Sequence, residues 1–223
     1  MFDSSRRTVV QFAALSVGAL SIPAVLAQEK KEEVTPVEDL CREHGLLNRI
    51  LLIYDHFDSK LAGPSAPDLS ALTQSATIIK NFIESYHEKL EEDFLFPRFE
   101  KAGKLTDLVT VLRRQHEAGR AVTAQIISLT ADAPKNTKAK TALRTHIQSF
   151  VRMYRPHEAR EDTILFPALR EIVSPKEYDV LGDQFEDKEH QLFGKEGFEG
   201  VLEQVAEIEK KLGIYDLSQF TPR

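Results

Sequence analysis

Two segments of the chain place a histidine four residues ahead of a glutamate: His87 with Glu91, and His157 with Glu161. On an α-helix, residues i and i+4 share a face and lie about 6 Å apart along the axis, so each pair can address one point. Apolar neighbours at helical spacing, Ile83, Leu90 and Phe94 in one segment and Tyr154, Ile164 and Leu165 in the other, turn that face towards a core. Imidazoles and carboxylates are costly in a core unless they are paired or hold a cation. The two segments align without a gap, His87 to Pro97 on His157 to Pro167, 70 positions apart (87 to 157). Two further histidines recur 72 positions apart (44 to 116) in similar settings, Arg42-Glu43-His44 and Arg114-Gln115-His116. Singly, each pattern reads as readily as a satisfied core histidine or a surface helix ion pair. Repeated in register, they put four histidines and two glutamates, carried on four helices, around one place. Two carboxylates can bridge two cations, and imidazole nitrogens suit iron, zinc or copper. Two histidines and two shared carboxylates give each cation four ligands. Iron usually takes about five or six, so positions stay open for water, a bridging oxygen species and small exogenous ligands.

With the endings Leu95-Phe96-Pro97 and Leu165-Phe166-Pro167, the doubled motif resembles the hemerythrin-like, or HHE cation-binding, domains over roughly residues 37 to 172. The resemblance implies an oxo- or hydroxo-bridged pair of iron ions, with zinc or manganese less favoured. It implies His44, His87, Glu91, His116, His157 and Glu161 as ligands, with Glu91 and Glu161 as the bridges. One departure counts against an oxygen carrier: those proteins have a second histidine one turn on in the third helix, where this chain has Arg120. His190, in Glu189-His190-Gln191-Leu192-Phe193, is the candidate for a further ligand, carried on a fifth helix that could fold over the open end of the bundle. The pattern differs from the Glu-x-x-His helices of ferritin-type proteins. Implied functions are reaction with or binding of dioxygen, peroxide or nitric oxide, a non-enzymatic iron-binding or storage module, or a bundle stabilised by structural zinc. No catalytic side chain is singled out.

The elements that must position these groups are helical. Apolar residues recur at helical spacing from Pro36 through Tyr54, from Asp68 to Gly103, from Thr106 or Asp107 towards Leu129, and from about Thr137 to Val173. Ser174-Pro175 is a fresh start signal for a fifth helix, and a last helix runs from about Phe198 to Leu212. The fold class is therefore all-α, an antiparallel four-helix bundle over 37–172 with additional C-terminal helices over 173–223. Glu88 and Glu158 follow ligand histidines and point about 100° away, which predicts solvated salt-bridge partners. Tyr54, Tyr86 and Tyr154 are candidate hydrogen-bond donors behind the ligands. Pro156 is expected to kink its helix.

Residues 1–27 have the layout of a signal peptide, Ser5-Arg6-Arg7 ahead of a soft apolar run ending Val25-Leu26-Ala27, and resemble a twin-arginine signal. This predicts export to the periplasm, a charged leader over 28–36, and no stable membrane insertion after cleavage. With a net charge of −6 the chain carries no basic stripe for nucleic acid. Its single cysteine, Cys41, excludes an intrachain disulfide and reads as a small apolar residue. The expected partner is a small diatomic or peroxide ligand.

Overall fold

The computed structural model describes residues 34–64 and 67–222; the signal-peptide reading falls on residues outside them. Helix α1 is Pro36–Ala62, opened by a capping box in which Thr35 Oγ1 accepts from the Glu38 amide at 3.3 Å and Glu38 returns a bond to the Thr35 amide at 3.0 Å. Helix α2 is a continuous rod over 70–102: an α-helical start Ser70–Ile78, a π-helical stretch Ile79–His87, one turn Glu88–Leu90, a second π turn Glu91–Leu95, and a close Phe96–Ala102. Asp68 accepts from the Ser70 amide at 2.9 Å just ahead of it. Gly103 ends it in the left-handed conformation (φ 64°), which lets Lys104 N–H reach Phe99 O at 3.0 Å. Helix α3 is Thr106–Leu129. Helix α4, over 137–169, begins as Thr137–Arg160 under an Asn136 cap and continues through a π turn Glu161–Leu165 into Phe166–Leu169. Ser174 caps α5, Pro175–Phe193, with Pro175 at its first position, and α6 is Gly197–Leu212.

α1 packs on α2 and α4, and α3 packs on the same two, so the four long helices close a square. Among the described residues there is no strand, and no helix is long and apolar enough to cross a membrane. The centre of the square is filled by Leu40, Leu47, Ile50, Phe82, Leu95, Leu112, Ile147 and Phe150, all essentially fully buried. Each such side chain contributes roughly 1.5–3 kcal/mol through burial, and this holds four helices around a polar cluster that would not by itself hold them together.

The π turns were not expected from sequence. In both motif copies the turn ends at the phenylalanine of Leu-Phe-Pro, with Phe96 N–H on Glu91 O and Phe166 N–H on Glu161 O. Pro97 and Pro167 follow at once; each lacks an N–H and its ring presses on the carbonyl four residues back, and a widened turn relieves that pressure. Pro156, by contrast, is carried inside Thr137–Arg160 without ending it.

α5 does not fold over the end of the bundle. It lies antiparallel along α2, with Arg98 Nε on Glu177 Oε1 at 3.0 Å, Phe94 against Phe185 at 5.7 Å and Tyr86 against Phe193 at 5.5 Å. α6 runs parallel to α1, held by Arg42 to Glu199 at 2.7 Å and by Arg49 Nε to Glu209 Oε1 at 3.1 Å. The two form an outer layer over α1 and α2.

Candidate metal centre

The structure brings His44 from α1, His87 and Glu91 from α2, His116 from α3, and His157 and Glu161 from α4 to one buried cluster. The imidazoles pair across the bundle, His44 with His87 at 4.8 Å between ring centroids and His116 with His157 at 5.0 Å. Each carboxylate reaches both pairs. Glu91 Oε2 lies 3.8 Å from His87 Nε2 and 3.4 Å from His116 Nε2; Glu161 Oε2 lies 3.1 Å from His157 Nε2 and 3.4 Å from His44 Nε2.

Every ring is held from behind by a side chain of the neighbouring helix. Asp162 Oδ1 is 2.7 Å from His44 Nδ1, Glu43 Oε2 is 2.7 Å from His87 Nδ1, Glu92 Oε1 is 3.1 Å from His116 Nδ1, and Gln115 Oε1 is 2.9 Å from His157 Nδ1. These oxygens accept, so each Nδ1 carries a proton, and each Nε2 presents a lone pair to the cluster once a cation displaces any second proton. His44 Nε2 and His87 Nε2 then face each other at 3.1 Å, which is repulsive unless a proton or a cation stands between them. All four carboxylate oxygens of Glu91 and Glu161, and His116 Nε2, have no hydrogen-bond partner despite complete burial. Orphaned acceptors of this kind are strongly unfavourable in a protein interior, and cations bridging them resolve the deficit at once. The donor set of four nitrogens and two carboxylates fits a pair of transition-metal ions.

Without a cation the charges distribute unevenly. Burial and the facing Glu161 push the Glu91 carboxyl well above the usual range, whereas His157 and His44 outweigh burial and hold Glu161 well below it. Burial opposes a charge on His44, but Asp162 and Glu161 overcome it and raise the imidazole to about 10. His116 goes the other way, burial lowering it to about 4 against the pull of Glu92.

His190 is not brought to this cluster. It is half-buried on α5 and, among the described residues, belongs to no grouping of His, Cys, Asp and Glu close enough to share a cation. The residue that α5 turns inwards is Glu189, which accepts from Tyr86 Oη at 3.3 Å and from the Phe198 amide at 2.9 Å. Glu88 and Glu158 are not solvated either: both are buried, and burial raises each carboxyl to about 8. Glu88 takes Tyr154 Oη–H at 2.7 Å and Arg120 Nη2 at 2.7 Å; Arg120 also holds Glu92 at 2.6 Å. Glu158 is held by Asn48, which also donates to His44 O at 3.0 Å. Of the three tyrosines, Tyr154 and Tyr86 donate as described, while Tyr54 Oη is buried without a partner and its ring packs on Phe150 at 5.2 Å. Cys41 is half-buried, with Sγ 3.4 Å from Asp162 Oδ1; burial and that carboxylate push its thiol to about 12, far from a nucleophile. The four oxygens behind the histidines escaped notice in the sequence, yet a signal was there: each precedes a single histidine or follows a motif glutamate, in both halves of the repeat.

Comparison with known proteins agrees with this geometry. The chain is 44% identical over 231 residues to uncharacterized proteins of Mycobacterium tuberculosis and Mycobacterium bovis, covering 97% of this chain and 91% of theirs. No solved structure matches. The family model of the hemerythrin HHE cation binding domain matches residues 35–169, the stretch that carries all six converging side chains, and the chain belongs to that family.

Proposed function

We propose that the chain is a non-haem di-iron protein that binds or reacts with dioxygen, peroxide or nitric oxide after export from the cytoplasm. One observation carries the reading: four Nε2 atoms converge on two fully buried carboxylates whose oxygens are otherwise unsatisfied. His44 and His87 would hold one ion, His116 and His157 the other, and Glu91 and Glu161 would bridge them. Bound iron would supply redox chemistry and open coordination positions. The chain's own contribution is orientation. Asp162, Glu43, Glu92 and Gln115 fix the tautomer and angle of each ring, and the apolar bundle around them limits water.

The test is metal analysis of protein purified in air. The reading expects close to two irons per chain and the absorption of an oxygen-bridged ferric pair, changed by azide or, after reduction, by nitric oxide. Zinc alone, with no such spectrum, refutes the iron assignment. For the export part, replacing Arg6 and Arg7 by lysine should trap the full-length chain in the cytoplasm; unchanged periplasmic recovery sinks that part.

A further inference from the structure

The bundle's internal two-fold exchanges α1 with α3 and α2 with α4, and it can be followed residue by residue around the cradle. Behind the histidines, Asp162 corresponds to Glu92 and Glu158 to Glu88, so these carboxylates match. Glu84, near Arg120 and Glu88 with Tyr154 as its counterpart, differs without setting the balance, because burial pushes its carboxyl towards the neutral form; two positions in contact with the cradle break the match. Glu43, a carboxylate on His87 Nδ1, corresponds to Gln115, a neutral amide on His157 Nδ1. Asn48, the neutral partner of Glu158, corresponds to Arg120, a cation touching both Glu88 and Glu92. Both breaks have the same sign, each leaving the surroundings of His44 and His87 one charge more negative than those of His116 and His157. Two more differences act in the same direction. Lys89 adds a second cation to Glu92, and its counterpart is Ala159; Asp39 and Glu189 lie beside Glu43, and Val111 stands where Asp39 would repeat.

From these contacts we infer that the two halves of the cradle are inequivalent cation positions, with His44 and His87 taking the first and more tightly held cation and His116 and His157 the second. The inference rests on the two-cation reading of the cluster. A negative charge hydrogen-bonded behind an imidazole makes it a stronger donor and adds direct attraction for a cation, and changes to such partners shift metal affinity about 10–100-fold. Glu43 and Arg120 therefore act as positioning and tuning residues.

The experiment adds zinc(II) in single equivalents to metal-free, full-domain protein labelled with 15N in histidine, reading the imidazole nitrogens by NMR and the affinities by competition with a chelator. The first equivalent should move His44 and His87, and the second His116 and His157. Glu43→Gln should weaken the first step about 10–100-fold, and Gln115→Glu should strengthen the second by a similar factor. Should the glutamine variant at 43 fail to fold by circular dichroism, the Gln115→Glu arm decides alone. If His116 and His157 respond first, or all four rings respond together, or the variants leave both steps unchanged, the inequivalence is overturned while two bound equivalents keep the two-cation reading. If zinc moves none of the four rings, the two-cation reading falls and the inference falls with it.

Discussion

Gly119→Ala tests the packing behind the cradle more sharply than any ligand substitution. Gly119 sits on α3 where Tyr154 crosses; a Cβ built there would press on Tyr154 Oη and lie 2.8 Å from Cζ, closer than real Cβ contacts come. Tyr154 cannot yield easily, being buried, stacked on Phe150 at 4.3 Å and edge-on to His157 at 5.4 Å. Alanine must therefore overpack the site, at about 1–3 kcal/mol, and pull Tyr154 Oη off Glu88, at about 1–3 kcal/mol for buried groups left without their partner. Alanine's better helix propensity returns about 1 kcal/mol. The net loss is roughly 1–5 kcal/mol, which at about 2–4 °C per kcal/mol for a domain of this size lowers Tm by about 2–20 °C. Tyr154→Phe removes the same hydrogen bond and also the atom that clashes first, so the double variant should lose clearly less than the two single losses added together. The assay is denaturant unfolding of the four proteins of that cycle, in metal-free form. A Gly119→Ala variant within about 0.5 kcal/mol of the parent, or strict additivity in the cycle, would falsify the account of Tyr154 as wedged between α3 and Glu88.

Glu91→Ala should abolish binding of both cations, because its oxygens face histidines of both pairs; retained two-metal occupancy by mass spectrometry of the purified protein would refute the bridging role. His190→Ala should leave metal content at the parent value, since His190 stands apart from the cluster, and a drop in occupancy would show that it reaches the metals after all. Stripping the metals with a chelator should lower Tm, since cations held at about a thousand times their Kd contribute about 4 kcal/mol through mass action. Differential scanning calorimetry with and without added metal checks this, and coincident transitions would count against a cation-loaded native state. Gly103→Ala should cost about 1–2 kcal/mol for a non-glycine residue held at φ 64° and leave metal affinity untouched; a drop in affinity would mean that this turn does more than end α2.

The six converging side chains were legible because helical periodicity is a local property. A histidine and a glutamate four apart share a face whatever surrounds them, and the repeat says that both faces look inwards. Burial of the flanking acids was not legible, since it depends on the next helix. Glu88 and Glu158 do point about 100° from the ligands, but Arg120, Tyr154 and Asn48 arrive from α3, α4 and α1 to receive them. The same limit decided α5. Its amphipathic pattern is compatible with two neighbouring registers, and only contact with Tyr86 and Phe198 selects Glu189 rather than His190 for the inner face. The boundaries of the helices fared better, because Ser174 through its side-chain oxygen and Gly103 through its left-handed backbone signal them locally.

The outer layer of α5 and α6 makes the traffic to the cluster lopsided. On the α1–α2 flank a small molecule has two thicknesses of helix to cross, tied down by Arg42, Arg49 and Arg98. On the α3–α4 flank a single thickness intervenes; Arg120, with about a third of its surface in water, is turned to Glu88 and Glu92 of α2 instead. The shorter path between solvent and the cluster therefore lies on the side away from α5 and α6.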